Sequence, residues 1–163
     1  MAQREICIYP DDVLRQKTIP VTEFSRPLHT LLDDMRETMY AAHGVGLAAP
    51  QIGELVRVTV IDVSDSGNEP LEFINPVITA REGNVPSEEG CLSIPDFRET
   101  ITRSERITVD AVDRNGAPFQ VQAEGLLAIC LQHELDHLEG ILFIDHLSRL
   151  KRDVFKKKWG KRI

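Results

Sequence analysis

The sequence predicts an α+β fold with largely antiparallel sheet, and three observations carry that prediction. Leu28, Leu31, Leu32, Met35, Met39 and Ala42 recur at helical spacing near the N-terminus. Two extended runs, 106–113 and 118–123, flank Asp113-Arg114-Asn115-Gly116, a strong hairpin turn signal. A second helical stretch begins near Glu124 and Gly125, directly after that hairpin, and a third helical segment is expected at the C-terminus. Strands joined by hairpins, with helices grouped apart from them, fit α+β rather than alternating β-α-β units.

Taken in order, the apolar run Ile6-Cys7-Ile8 reads as strand packing, and Pro10 to Leu14 as a turn with a short helical piece. Ser25 followed by Pro27 reads as an N-cap with proline in the first turn of a helix that ends before Gly44. Gly44-Val45-Gly46-Leu47-Ala48-Ala49-Pro50-Gln51 is too glycine-rich and small-sided for regular structure. It is either a tight connection or the wall of a cleft, offering backbone amides and the side-chain amide of Gln51. No phosphate-binding fingerprint accompanies its glycines. Residues 57–62 form a strand candidate and 64–70 a polar loop; 71–80 is extended but interrupted by Pro76, so part of it is expected at a sheet edge. Gly90 and Pro95 make the stretch around Cys91 an irregular, exposed segment.

At 163 residues the chain suits a single domain spanning 1–163, with 42% hydrophobic and 28% charged residues typical of a globular protein. No apolar run approaches the roughly 20 residues needed to span a bilayer, so no membrane partner is expected. The start lacks an apolar signal core and the three cysteines suggest a reducing compartment, which makes the cytoplasm the expected location. The net charge of −7 is uneven: residues 149–163 hold eight Lys/Arg against one Asp. Such a basic segment is a solvated helix end whose cations favour the negative pole of the macrodipole, or a handle for nucleic acid.

The chemistry is carried by Gln132-His133-Glu134-Leu135-Asp136-His137, which contains the H-E-x-x-H spacing. On a helix, residues four apart lie on one face about 6 Å from each other, so His133 and His137 can converge on one metal ion with Glu134 beside the open coordination position. The third ligand does not come from an extended motif, because the position that would carry a further histidine is Phe143. No Glu follows Glu139, and Asp145 and His146 lie so close behind the motif that a tight turn would be needed. Of the cysteines, Cys130 shares the histidines' helix face but sits too far along it for a metal–sulfur bond of about 2.3 Å, and reads as the lining of an apolar pocket or an ordinary buried residue. Cys7 reads as packing. Elimination leaves Cys91.

Gly44 to Gln51, Glu89-Gly90-Cys91-Leu92-Ser93 and Gln132 to His137 together resemble, in order and spacing, the three signature motifs of the peptide deformylase family. The resemblance runs over essentially the whole chain. It implies an α+β fold with antiparallel β-sheets packed around a central metal-binding helix, and removal of the formyl group from the N-terminal formyl-methionine of nascent polypeptides. Position by position it implies Cys91, His133 and His137 as metal ligands and Glu134 as general acid/base. It implies Gln51 and the Leu92 N–H as holders of the oxyanion, and Gly46 in the segment that pairs with the substrate backbone. Val45, Leu126, Ile129, Cys130 and His133 fall where the family lines its methionine pocket. Arg98 and Arg103 match two arginines near the cleft with structural or peptide-positioning roles, and Thr102 stands where many members carry proline.

One thiolate and two imidazoles would bind zinc more tightly than iron(II) on general affinity grounds, but the resemblance implies Fe(2+) as the working metal with Zn, Ni or Co as substitutes. Nascent-chain processing also gives the basic segment a polyanionic partner, the ribosome's rRNA. Two other classes compete: a metalloprotease or metal amidase acting inside peptides, motivated by the H-E-x-x-H spacing alone, and a non-catalytic metal- or ribosome-binding relative, disfavoured because Gln51, Cys91 and Glu134 are all present.

Overall fold

The structure, a computed structural model, describes residues 2–160. After a 3-10 turn at Asp12–Arg15 come helix α1 (Arg26–Ala41), the short strand β1 (Gly46–Ala48), a second 3-10 turn (Ala49–Ile52) and β2 (Val58–Ile61). Five further strands follow: β3 (Leu71–Glu82), β4 (Val85–Cys91), β5 (Ile94–Arg103), β6 (Arg106–Val112) and β7 (Pro118–Glu124). Helix α2 (Gly125–Leu138), a 3-10 turn (Phe143–His146) and helix α3 (Arg149–Gly160) complete the chain. The strands form a five-stranded sheet in the order β1-β2-β3-β6-β7 and a separate β4-β5 hairpin, antiparallel throughout.

Side chains alternate faces along a strand, and the core follows from that period. Val58 and Val60 face the α1 stripe of Leu28, Leu32, Met35 and Met39, while Ile61 and Phe73 meet Leu131 and Leu135 of α2 on the other side. A third cluster joins the β4-β5 hairpin to the C-terminal helix: Ile94 and Phe97 pack with Phe143, Phe155 and Trp159. Helix α2 is therefore covered nearly all round, with Gln132, His133, Glu134 and His137 buried among its apolar residues. A helix buried on every side belongs at the centre of a fold, and its polar groups need partners there. Gln132 finds them at the β5-β6 turn, accepting from Ser104 N and donating to Ser104 O, both at 2.9 Å.

Several expectations hold. The first helix starts after Ser25 with proline in its first turn, and β6 and β7 pair around the Asp113–Gly116 turn. Four details differ. Residues 46–48 are a strand rather than irregular, because backbone pairing to β2 compensates the small side chains. Residues 71–82 form one strand that continues through Pro76 rather than being interrupted there; Pro76 fits through a register shift between Ile74 and Val77, with Asn75 at φ 54°, and its carbonyl accepts the Arg57 guanidinium. The expected edge is present, since only Leu71–Ile74 pair with β2 and the rest pairs with β6 alone. The segment around Cys91 belongs to a paired hairpin turning at Leu92-Ser93, irregular only in a register shift between Glu89 and Cys91, with Cys91 half-buried. Ile6-Cys7-Ile8 is not a regular strand, although Cys7 N donates to Gln51 O at 2.7 Å and its side chain packs on the third cluster.

Candidate active site

Two elements far apart in the chain meet to make the site. The H-E-x-x-H turn of α2 supplies two imidazoles, and the tip of the β4-β5 hairpin brings Cys91 against them. One ligating atom each from Cys91, His133 and His137 lie within 4.8 Å of one another, and Cys91 Sγ is 3.4 Å from His137 Nε2. Tetrahedral coordination with ordinary metal–sulfur and metal–nitrogen bonds separates neighbouring donors by about 3.3–3.6 Å, so the group fits a single ion.

The surroundings orient these donors. His133 Nδ1 donates to Glu89 Oε1 at 3.0 Å, which turns its other nitrogen towards the sulfur. Burial opposes a charge on His133, but its bonds to Cys91 and Glu89 outweigh burial and raise its pKa above the ordinary value. Burial pushes His137 well below its ordinary value and keeps it neutral, the form a metal requires. Burial would raise Glu89 too, but the Arg103 and His133 hydrogen bonds hold its carboxyl down at about 2. Phe143, where a longer metal motif would place histidine, stacks on His133 with ring centroids 6.1 Å apart and so closes the back of the site.

Glu134 is 5% exposed, and burial, opposed by His133, raises its carboxyl to about 7. Its Oε1 has no hydrogen-bond partner among the described residues. Gln51, 1% exposed, is locked in one amide orientation: Oε1 accepts from Ala48 N at 2.9 Å, while Nε2 points to Ser93 Oγ at 3.1 Å and Cys91 Sγ at 3.6 Å. Both open onto a cleft of about 440 Å³, which also takes in Val45, Gly46, Leu92, Arg98, Leu126, Ile129 and Cys130. Val45 and Leu126 are exposed at its mouth, whereas Cys130 is buried and its thiol is pushed up to about 12, first by burial and then by Glu134. Arg98 sits at the rim, paired with Glu88 at 3.2 Å.

Arg103 is not at the cleft. It lies behind the site as a buried fork, with Nε and one terminal nitrogen each 2.8 Å from Glu89 and the other 2.7 Å from Asp136. Asp136 in turn meets His146 Nε2 at 2.9 Å. Sequence reasoning quoted Glu89 and Asp136 without giving either a role. Glu89 stands two residues before Cys91, so strand alternation would have put both on one face had the hairpin been foreseen.

A sulfur and two imidazoles gathered in a cleft, next to a carboxyl that holds a proton near neutrality, place the molecule among the metal-dependent hydrolases. Within that class, the chain belongs to the polypeptide deformylase family, whose model matches residues 3–153. Peptide deformylase of Nitrosococcus oceani is 51% identical, over 99% of this chain and 97% of the relative. That of Alkalilimnicola ehrlichii is 49% identical, over 100% of this chain and 92% of the relative. Among solved structures, peptide deformylase from Legionella pneumophila superposes with a TM-score of 0.93 at 49% identity, covering 98% of this chain and 95% of that one. The Ehrlichia chaffeensis enzyme in complex with actinonin gives 0.93 at 38% identity, covering 99% and 98%. The family's reaction is hydrolytic removal of the formyl group from the N-terminal formyl-methionine of nascent polypeptides.

Proposed function

We propose that this chain deformylates N-formylmethionyl nascent peptides with Cys91, His133 and His137 holding iron(II), Glu134 moving the proton, and Gln51 with the Leu92 N–H holding the developing oxyanion. The observation that carries the reading is the meeting of the three donors beside a cleft lined by Cys91, His133 and the Glu134 carboxyl. A divalent ion held by Cys91, His133 and His137 would supply Lewis acidity and activate water near neutral pH.

The chain's own residues account for the rest. Glu134, poised near 7, accepts the proton of the attacking water and returns it to the departing amine nitrogen. The locked Gln51 amide offers its N–H groups beside Cys91, and the Leu92 N–H lies next to it at the hairpin turn. Such preset donors lower the barrier because they need not reorient as charge develops. Leu126, Ile129, Cys130 and Val45 offer an apolar wall suited to an unbranched thioether. Gly46 lies in β1, at the sheet's edge, where an extended peptide can add its backbone, and Arg98 at the rim positions the residues that follow.

We read 1–163 as one such domain working in the cytoplasm; no helix among the described residues is long and apolar enough to cross a membrane. The basic segment, of which 161–163 lie outside the described residues, presents Lys156, Lys157 and Lys158 on the exposed side of α3, a face suited to ribosomal RNA. The deciding experiment is formate release from formyl-Met-Ala after anaerobic purification, with metal content determined. Release by the iron form and none from N-acetylated or internal peptides is expected. Full activity of the zinc form at matched occupancy would remove iron from the reading.

A further inference from the structure

Strand β1 runs directly against the Glu134 side chain. A Cβ on Gly46 would lie 2.5 Å from Glu134 Oε2, 3.0 Å from Cδ and 3.1 Å from Cγ. Gly46 is not among the residues with positive φ, so an alanine there would have an unstrained backbone and only its methyl is excluded. Gly44 differs: its Cβ would meet the outer end of Leu92, a half-buried side chain that lines the cleft. At Gly46 the obstacle is three consecutive atoms of a buried side chain.

Neither side can retreat cheaply. The backbone of β1 is fixed by pairing to β2, Gly46 opposite Ile61, and by the Thr59 hydroxyl donating to Leu47 O at 2.7 Å. Glu134 is held on a helix whose neighbouring residues are themselves buried. We propose that Gly46 is a positioning residue for Glu134: the methyl it lacks leaves the space that sets where the proton-carrying carboxyl sits. This rests on the role assigned to Glu134 above. It gives Gly46 a task separate from pairing with the substrate backbone, since adding a methyl removes neither its N–H nor its carbonyl. A displacement of about 1 Å in a group that must meet a reacting atom costs on the order of 100-fold in rate.

The two tasks predict different kinetics. Gly46→Ala, at matched metal content, is expected to lower kcat for formyl-Met-Ala by at least about ten-fold with KM changed less than about three-fold. A readout independent of activity is the thermal cycle of Gly46→Ala, Glu134→Ala and the double variant. Gly46→Ala is expected to lower Tm by about 3 °C or more in the native background, and by nothing in the Glu134→Ala background, where the methyl enters vacated space. An equal Tm loss in both backgrounds, or a raised KM with kcat kept, would overturn the proposal. Should Gly46→Ala fail to fold alone, the double variant must still fold; failure of both also overturns it. A native chain silent towards formyl-Met-Ala would instead sink the reading of the reaction, while the thermal cycle still decides the steric coupling.

Discussion

Glu89 accepts a hydrogen bond from His133 at 3.0 Å while Arg103 grips the same carboxylate from behind with two bonds of 2.8 Å. The imidazole is thus fixed by a charged chain that passes through Arg103 and Asp136 to His146 at the surface. Every member but His146 is largely buried, so the chain must be complete to be tolerable: an unpaired charge in that position would face no water.

Arg103→Ala removes the partner of a buried carboxylate. A loss of about 3–5 kcal/mol of stability is expected, read as a lower urea midpoint. Lysine should restore only part of it, because a point charge cannot reproduce the two-pronged contact.

Glu89→Gln keeps a group that can accept from His133 but loses the negative charge. Metal affinity should fall about 10–100-fold, measured by competition with a chelator.

Glu134→Ala should keep bound metal and lose about 100- to 10,000-fold in kcat. Unchanged turnover with metal retained would remove the proposed proton carrier. Gln51→Ala should cost about 100- to 1,000-fold in kcat through the missing oxyanion donor.

The Tyr40–Asp62 pair predicts how stability varies with pH. Burial would raise Asp62, but hydrogen bonds from Ser64, Tyr40 and Glu69 N outweigh it and hold its carboxyl below the ordinary value. The stabilisation it contributes is therefore complete above about 3.9 and lost as pH falls through the lower folded value. Tyr40 is raised to about 12, chiefly by burial and then by Asp62, so its share is complete below about 10 and lost as pH climbs through 12. Urea midpoints across pH should show both arms. Tyr40→Phe should reduce the alkaline one, the buried Cys130 thiol, raised to about 12, accounting for the part that stays.

Because Phe155 and Trp159 of α3 are buried, deleting the basic segment would strip the core and confound any binding assay. Replacing exposed Lys156, Lys157 and Lys158 with glutamate should leave the urea midpoint nearly unchanged and abolish salt-sensitive co-sedimentation with ribosomes. Co-sedimentation insensitive to both salt and these changes would refute the rRNA contact.

The sequence by itself determined what depends on short-range geometry. The helical period placed His133 and His137 on one face, the α1 stripe announced a core helix, and the Asn-Gly turn announced the β6-β7 hairpin. Cys91 could be reached by elimination because so few donors remained. Only the tertiary structure decided that residues 46–48 form a strand, that residues 85–103 form a hairpin which carries Cys91 to the helix, and that Glu89 and Arg103 stand behind His133. The reason is physical. A helical repeat or a turn is fixed by neighbours within a few residues, whereas a glycine-rich edge strand and a buried ion pair exist only through partners that folding brings from far along the chain.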